Sequence, residues 1–328
     1  MKYLSPIFYS LKCFYNYKKE DYYEPNIREE LYHNHSPEIN HVDKSVIYVV
    51  NGCKYNPGLC DKLRGILSTY YICRKVGVPF NIYWDYPFDL QNYLLPNEYN
   101  WLINKSDVCY SGSVSIAVVD EANGLLFQEH INARALRHKI ANTGQTHVYS
   151  NCIIRKKRFK HLFDELFKPS DTLASEINKH LRILRNNRGG YISVSLRFME
   201  LLGDFKDHPG VSATLDEDKQ QTLIAKCISK IKDIIKKHPS GTRVFVASDS
   251  VKFLEAARRI PEVYVVEGEV VHIKYRGSDE AYMKTFVDLM LLKEADTRYL
   301  LKTGKMYNSG FPRFASWIGN GKFNLIEF

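Results

Sequence analysis

The amino-acid sequence predicts an α/β protein of two Rossmann-like halves, with parallel sheets facing an interdomain cleft. Three observations point there. In the second half, short β-branched runs alternate with amphipathic stretches, the pattern of a doubly wound parallel sheet. The first half repeats the alternation less cleanly. The chain of 328 residues also exceeds one ordinary core, so two domains of about 150 residues each are expected. Gly189-Gly190, directly before a strand, marks the expected hinge and divides the chain into 1–188 and 189–328.

The elements of the second half follow in order. Tyr191–Leu196 (YISVSL) places Ile192, Val194 and Leu196 on one face, the period of a strand. A long helix comes next. Thr214 and Glu217 have capping-box spacing, and Leu223, Ile224, Cys227, Ile228, Ile231, Ile234 and Ile235 form its apolar stripe. Lys236, Lys237 and His238 place cations at its carboxyl end, and Pro239 stops it. A strand at Val244–Ala247, a short helix at Val251–Arg259 and a strand at Val263–Val266 are expected next. A helix at Glu280–Ala295, a strand at Arg298–Leu301 and a helix at Arg313–Ile318 complete the series.

In the first half, Val46–Val50 reads as a buried strand and Asp61–Val76 as a helix with Leu63, Ile66, Leu67, Tyr70 and Cys73 inward. Phe80–Trp84, Val114–Val119 and His147–Ser150 are further strands; residues 128–141 and 171–186 read as helices.

Composition narrows the function classes. Hydrophobic residues at 45% and charged residues at 25% describe a soluble globular chain. No apolar run approaches the ~20 residues of a membrane span. The first residues lack a small-residue cleavage site and read as mature sequence. Seven cysteines form no C-x-x-C pair and no zinc spacing, which fits reduced thiols in a cytoplasmic protein and indicates no metal site. A net charge of +9 calls for a negative partner: a phosphorylated substrate, an anionic membrane surface or nucleic acid. The run Arg155–Lys160 (RKKRFK) suits a solvated connector or a membrane-surface patch. No nucleic-acid-binding motif is present, so nucleic acid is not the expected partner. No G-x-G-x-x-G follows a strand, which disfavours a dehydrogenase.

Five segments carry candidate chemistry. Arg197 ends a core strand at the carboxyl edge, where open α/β sheets bind ligands, and a guanidinium grips a diphosphate bidentately. Glu200 can orient it; the competing reading is a surface arginine paired with Glu200 or Asp204. Ser248-Asp249-Ser250 follows the next strand, suited to contact a base or ribose or to cap the following helix. Asp288 lies in an apolar helix, MKTFVDLMLL, and needs a partner there unless it faces solvent. Asn308-Ser309-Gly310-Phe311-Pro312-Arg313 leads into a helix start that suits a phosphate, or simply begins that helix. Gly58-Leu59-Cys60-Asp61-Lys62-Leu63-Arg64 joins a strand to a helix; Gly58 permits close approach of a ligand, and Asp61 either caps the helix or meets a sugar hydroxyl.

In this order the segments resemble the GDP-fucose-dependent family that includes rhizobial nodulation, core and, more distantly, protein O-fucosyltransferases. The matching stretches are Gly58–Arg64, Ser195-x-Arg197-x-x-Glu200, Val244–Asp249, Asp288 with Leu292–Asp296, and Ser309–Arg313. The resemblance spans most of residues 45–318. It implies a GT-B fold, an acceptor-side first domain and a second domain that binds the nucleotide sugar. It also implies an inverting, metal-independent transfer from GDP-fucose to a glycan or lipid-linked hydroxyl, with no cofactor and with contact at the inner membrane face. Arg197 would neutralise the β-phosphate and Asp288 would read the guanine. Gly58, Ser195, Ser248, Asp249, Ser309, Gly310 and Arg313 would line the nucleotide-sugar pocket, and Glu200, Asp204 or Asp61 would serve as base. Ser195 stands where the family has His, and Glu200 where it has Asp. A different nucleotide sugar, or a non-catalytic glycan or nucleic-acid binding module, are the rival readings.

Overall fold

The computed structural model describes residues 42–52, 58–110, 115–120, 134, 137, 144–185, 189–204, 214–269 and 277–328. The chain forms two compact units, Met1–Lys168 and Pro169–Phe328. The helix expected over 128–141 lies outside the described residues except at 134 and 137, which are helical.

In the first unit, β1 (Ser45–Val50) is the centre of the core; residues 46–50 are fully or almost fully buried. It leads through α1 (Leu59–Val76) to β2 (Phe80–Trp84), which lies parallel beside it. With β4 (Ser115–Asp120) and β5 (Gln145–Ser150) the order is β2-β1-β5-β4, every pairing parallel. A β-α-β crossover of this kind requires a helix to lie against the sheet. Gly65 allows it: a Cβ there would stand 1.9 Å from the Ser150 carbonyl oxygen. Three elements had no counterpart in the sequence reading. β3 (Leu94–Pro96) pairs with β6 (Phe167–Pro169), and α2 (Phe159–Leu166) begins inside the basic run. Arg155, Lys156, Lys157 and Arg158 are exposed, whereas Phe159, Leu162 and Phe163 are buried.

In the second unit, α3 (Asp171–Arg185) precedes β7 (Ile192–Leu196), α4 (Glu217–Ile235) and β8 (Val244–Ser248). α5 (Val251–Ala257), β9 (Val263–Tyr264), α6 (Asp279–Glu294) and β10 (Thr297–Lys302) follow. α7 (Phe311–Ile318) and an unexpected last strand, β11 (Lys322–Glu327), end the chain. The order β9-β8-β7-β10-β11 is parallel throughout. In chain order it reads 3-2-1-4-5, the start of the Rossmann arrangement, with the reversal between β7 and β10. Alternation along β7 decides the two faces. Ile192, Val194 and Leu196 join Ile224, Cys227 and Ile231 of α4 and Phe253 of α5 in one apolar cluster. α6 packs with α3 and with α7.

Two sequence expectations require correction. The compact units divide after Lys168, ahead of the Gly189-Gly190 position, because α3 packs against α6 of the second unit. Gly190 answers a packing demand, since a Cβ there would lie 1.4 Å from Asp296 Oδ2, whereas Gly189 has open space and a left-handed φ of +98. The Thr214–Glu217 capping box does not form. Asp216 is the N-cap of α4 and its carboxylate accepts from Lys219 N at 3.0 Å, while Thr214 sits against Gly203. A carboxylate at this position satisfies a free helix N–H and complements the dipole at once.

Among the described residues, Cys73, Cys109, Cys152 and Cys227 are buried and Cys60 is partly exposed, and none is joined to another in a disulfide. No described helix is long and apolar enough to cross a membrane.

Candidate functional site

The carboxyl ends of β7, β8 and β10 meet at the point where the strand order reverses. Arg197 follows β7 with 22% of its side chain exposed. Its Nε lies 3.9 Å from Asp249 Oδ2, at the end of β8. Its guanidinium carbon stands 5.5 Å from the ring centre of Tyr307, in the loop after β10. That loop is tied to the first strand as well, since Tyr307 N donates to the Arg197 carbonyl at 2.9 Å. One cation is thus held by three crossover loops at the topological switch point, where open sheets of this order bind ligands.

Asp249 builds this corner. Its Oδ1 accepts from Phe198 N and its Oδ2 from Met199 N, each at 2.8 Å. The two amides belong to the turn that follows Arg197, and Met199 adopts φ +55. A non-glycine residue in the left-handed region needs support from its surroundings, which the carboxylate supplies. The expectation that Asp249 faces a nucleotide is therefore revised: both its oxygens are engaged with the protein, so it positions the turn that carries Arg197. Burial pushes its carboxyl up to about 6, opposed by the Phe198 amide and the Arg197 cation.

A pH dependence follows from this. The folded state holds the Asp249 proton more tightly than the unfolded chain, whose carboxyl titrates near 3.8. The folded protein therefore binds more protons between roughly pH 4 and 6, and stability falls as pH rises through that window. Asp249→Asn should flatten this part of the stability profile in urea melts at pH 4, 5 and 6. An unchanged slope would assign it to another group.

The neighbouring candidates are divided between the corner and its supports. Ser248 Oγ accepts from Ser250 N at 3.2 Å, and Ser250 is the N-cap of α5, accepting from Phe253 N at 3.1 Å. Ser250 Oγ in turn donates to Asp204 Oδ2 at 2.8 Å, which also accepts from Lys252 N. Asp204 is thereby committed to the helix start. The carboxylate beside Arg197 is Asp249, in place of the expected Glu200 or Asp204. Glu200 lies three residues on, half-buried, with its carbonyl accepting from Gly203 N. Ser195 Oγ is buried in the sheet with no hydrogen-bond partner among the described residues.

In the loop after β10, Ser309 is buried and its Oγ accepts from Phe311 N at 3.2 Å. Gly310 is the N-cap of α7, without a side chain to occupy the cap, and Pro312 lies in the first turn, as its fixed φ favours. Arg313 donates to Asn308 Oδ1 at 2.9 Å and lies over the Phe323 ring at 5.3 Å, so it braces the loop against β11.

Asp288 is not at this corner's contacts. It sits inside α6, where Oδ2 receives Lys284 Nζ at 2.7 Å, one turn earlier; both side chains are nearly buried. The other oxygen, Oδ1, is buried without a partner among the described residues. Burial raises the Asp288 carboxyl, with Lys284 pulling the opposite way. Nearby, His180 Nδ1 and the Tyr264 hydroxyl are 2.6 Å apart, and burial lowers the imidazole.

Gly58 and Asp61 belong to the first unit. Gly58 is the N-cap of α1, its carbonyl accepting from Asp61 N and Lys62 N. Asp61 therefore does not cap; it stands in the first turn, favoured by the dipole, with Oδ1 2.9 Å from Arg64 Nη2. A cavity of about 920 Å³ opens at the amino edge of this sheet, lined by Asp43, Asn81, Gln91, Asn100 and Gln145 among others, and it holds none of the expected residues. Among the described residues no three His, Cys, Asp or Glu side chains gather as a metal centre. The D-x-D at Asp216–Asp218 spans the N-cap and first turn of α4.

Sequence reasoning missed Tyr307. An exposed tyrosine in a polar loop has no periodic signal, and only the pairing of β7 with β10 brings it to Arg197.

No protein-family model and no curated protein sequence matches the chain. Solved structures do. The NodZ alpha-1,6-fucosyltransferase soaked with GDP-fucose superposes with a TM-score of 0.54 and 16% identity, over 87% of this chain and 95% of that one. The fucosyltransferase NodZ from Bradyrhizobium matches at 0.54 and 15% identity, over 87% of this chain and 96% of that one. An arginine-to-lysine variant of Arabidopsis thaliana FUT1 in complex with GDP matches at 0.54 and 12% identity, covering 96% of this chain and 78% of its own. At such identities the likeness is one of fold, and in fold this chain is an α/β protein with parallel sheets like the GT-B fucosyltransferase NodZ.

Proposed function

We propose that the protein is a glycosyltransferase that moves fucose from GDP-fucose to a glycan hydroxyl, inverting the anomeric centre without a metal ion. The observation that carries the reading is Arg197 at the reversal point of the second sheet, braced by Asp249 and Tyr307. The fold adds support, since similar structures were obtained with GDP-fucose and with GDP.

In the reaction, the bond from the sugar's anomeric carbon to the diphosphate oxygen breaks through an oxocarbenium-like state. Negative charge gathers on the departing β-phosphate. A guanidinium already oriented at that place stabilises the charge without reorganising at the moment of bond breaking. Arginine thus serves the electrostatic role that a divalent ion serves in other transferases. The acceptor hydroxyl attacks from the opposite face and loses its proton to a carboxylate, for which Glu200 and Asp61 are the candidates. Asp204, held by the cap of α5, is not.

A second donor is favoured by one feature. Ser195 offers a short hydroxyl turned into the sheet, where the resembling family carries an imidazole. Thermal shifts separate the donors, because a ligand that binds the folded state alone stabilises it by RT ln(1 + [L]/Kd). At a concentration of about 100 Kd, GDP should stabilise the protein by about 2.7 kcal/mol, and UDP and ADP should not. A shift with UDP and none with GDP would replace the donor and leave the transferase reading in place. No shift with any nucleotide favours the non-catalytic module.

A further inference from the structure

Tyr307 is the one large aromatic at the switch-point edge that is substantially exposed, at 50%, among the described residues. Its two contacts with Arg197 are separable. The backbone N–H donates to the Arg197 carbonyl and needs no particular side chain. The ring lies 5.5 Å from the guanidinium carbon, within the range of a cation–π contact. Asp249 Oδ2, at 3.9 Å from Nε, is a second neighbour of the head group, and its oxygens already accept from Phe198 N and Met199 N.

We propose that Tyr307 is a positioning residue for diphosphate recognition: its ring holds the Arg197 guanidinium at the sheet edge in the orientation that meets the terminal phosphate of a nucleoside diphosphate. The inference rests on the reading of Arg197 given above. A guanidinium that lies over an aromatic face keeps N–H groups that point away from the ring, where a phosphate accepts two at once. Without the ring, the flexible arginine side chain samples several rotamers and must be ordered again at each binding event. Tyr307 acts through Arg197, so its effect is confined to ligands that reach Arg197.

Titration of GDP and of GMP into the wild type, Tyr307→Phe and Tyr307→Leu tests this. The leucine variant keeps the backbone hydrogen bond and removes the aromatic face. Its GDP affinity should fall by about tenfold, the order of a partly desolvated cation–π contact. Tyr307→Phe, which retains the face, should bind GDP within about twofold of wild type. GMP lacks the terminal phosphate and should bind all three proteins alike. GDP binding by Tyr307→Leu equal to wild type would overturn the inference and leave the role of Arg197 standing. So would equal losses for GDP and GMP, since the ring would then be supporting the loop as a whole. A wild type that does not bind GDP would remove the reading beneath it as well. Thermal unfolding of each variant, expected to match the wild type because the ring is half exposed, identifies any loss due to misfolding.

Discussion

Arg197→Ala is expected to lower turnover of GDP-fucose by about a hundredfold or more, the usual consequence of removing a preorganised donor to a developing anion. The fold should survive. The side chain is about a fifth exposed at a strand end, outside the apolar cluster that unites β7 with α4 and α5. Arg197→Lys should recover little, since a point charge does not reproduce the bidentate geometry of the guanidinium. GDP release from GDP-fucose, measured beside the unfolding midpoint, distinguishes loss of chemistry from loss of structure. Near-normal turnover in the alanine variant would end the assignment of this arginine to the diphosphate.

Asp288→Ala is expected to be the most destabilising single change at the candidate residues. It would leave the Lys284 ammonium, 6% exposed, in the interior without its carboxylate. Breaking a buried pair from one side typically costs about 3–5 kcal/mol, because the surviving charge stays desolvated. A double variant, Lys284→Met with Asp288→Leu, removes both charges and should regain most of the loss in denaturant titrations. If Asp288→Ala alone unfolds at the wild-type concentration, the pair does not carry that energy. The double variant also tests the role that the family resemblance implies for Asp288. Its second oxygen is buried without a partner among the described residues. The stable double variant should then bind GDP and ADP equally. Retained preference for GDP would make the pair purely structural.

The parts of the fold that were legible in the sequence share a physical property. β1, β7 and β8 are covered on both faces, so each is a short apolar or alternating run with little competing signal. α4 announces itself by its apolar stripe. β11 does not: it is an edge strand whose residues are all exposed or half-exposed, so no hydrophobic period marks it. β3 and β6 are three residues each and too short for any period to show. α2 was hidden by the charges at its start, which obscured the buried Phe159, Leu162 and Phe163.

The site divides similarly. A strand that ends in arginine, followed at the neighbouring strand's end by Ser-Asp-Ser, is a local pattern, and it marked Arg197 and Asp249 as residues of one sheet edge. Their roles were not local. That Asp249 holds the turn 198–199 and that Asp204 and Ser250 share the cap of α5 are facts about distances between segments; the Asp288–Lys284 pair is one helical turn apart, and what the sequence hid there is only its burial.

By itself, the sequence determined the class of the protein: alternating α and β elements, two units, and an arginine at a strand's carboxyl end. Tertiary structure alone decided which loops stand together. The strand order places β10 beside β7, so Tyr307 comes to Arg197 across more than a hundred residues of chain. Periodicity is a property of neighbouring residues, whereas the order of strands in a sheet is chosen by the packing of whole layers.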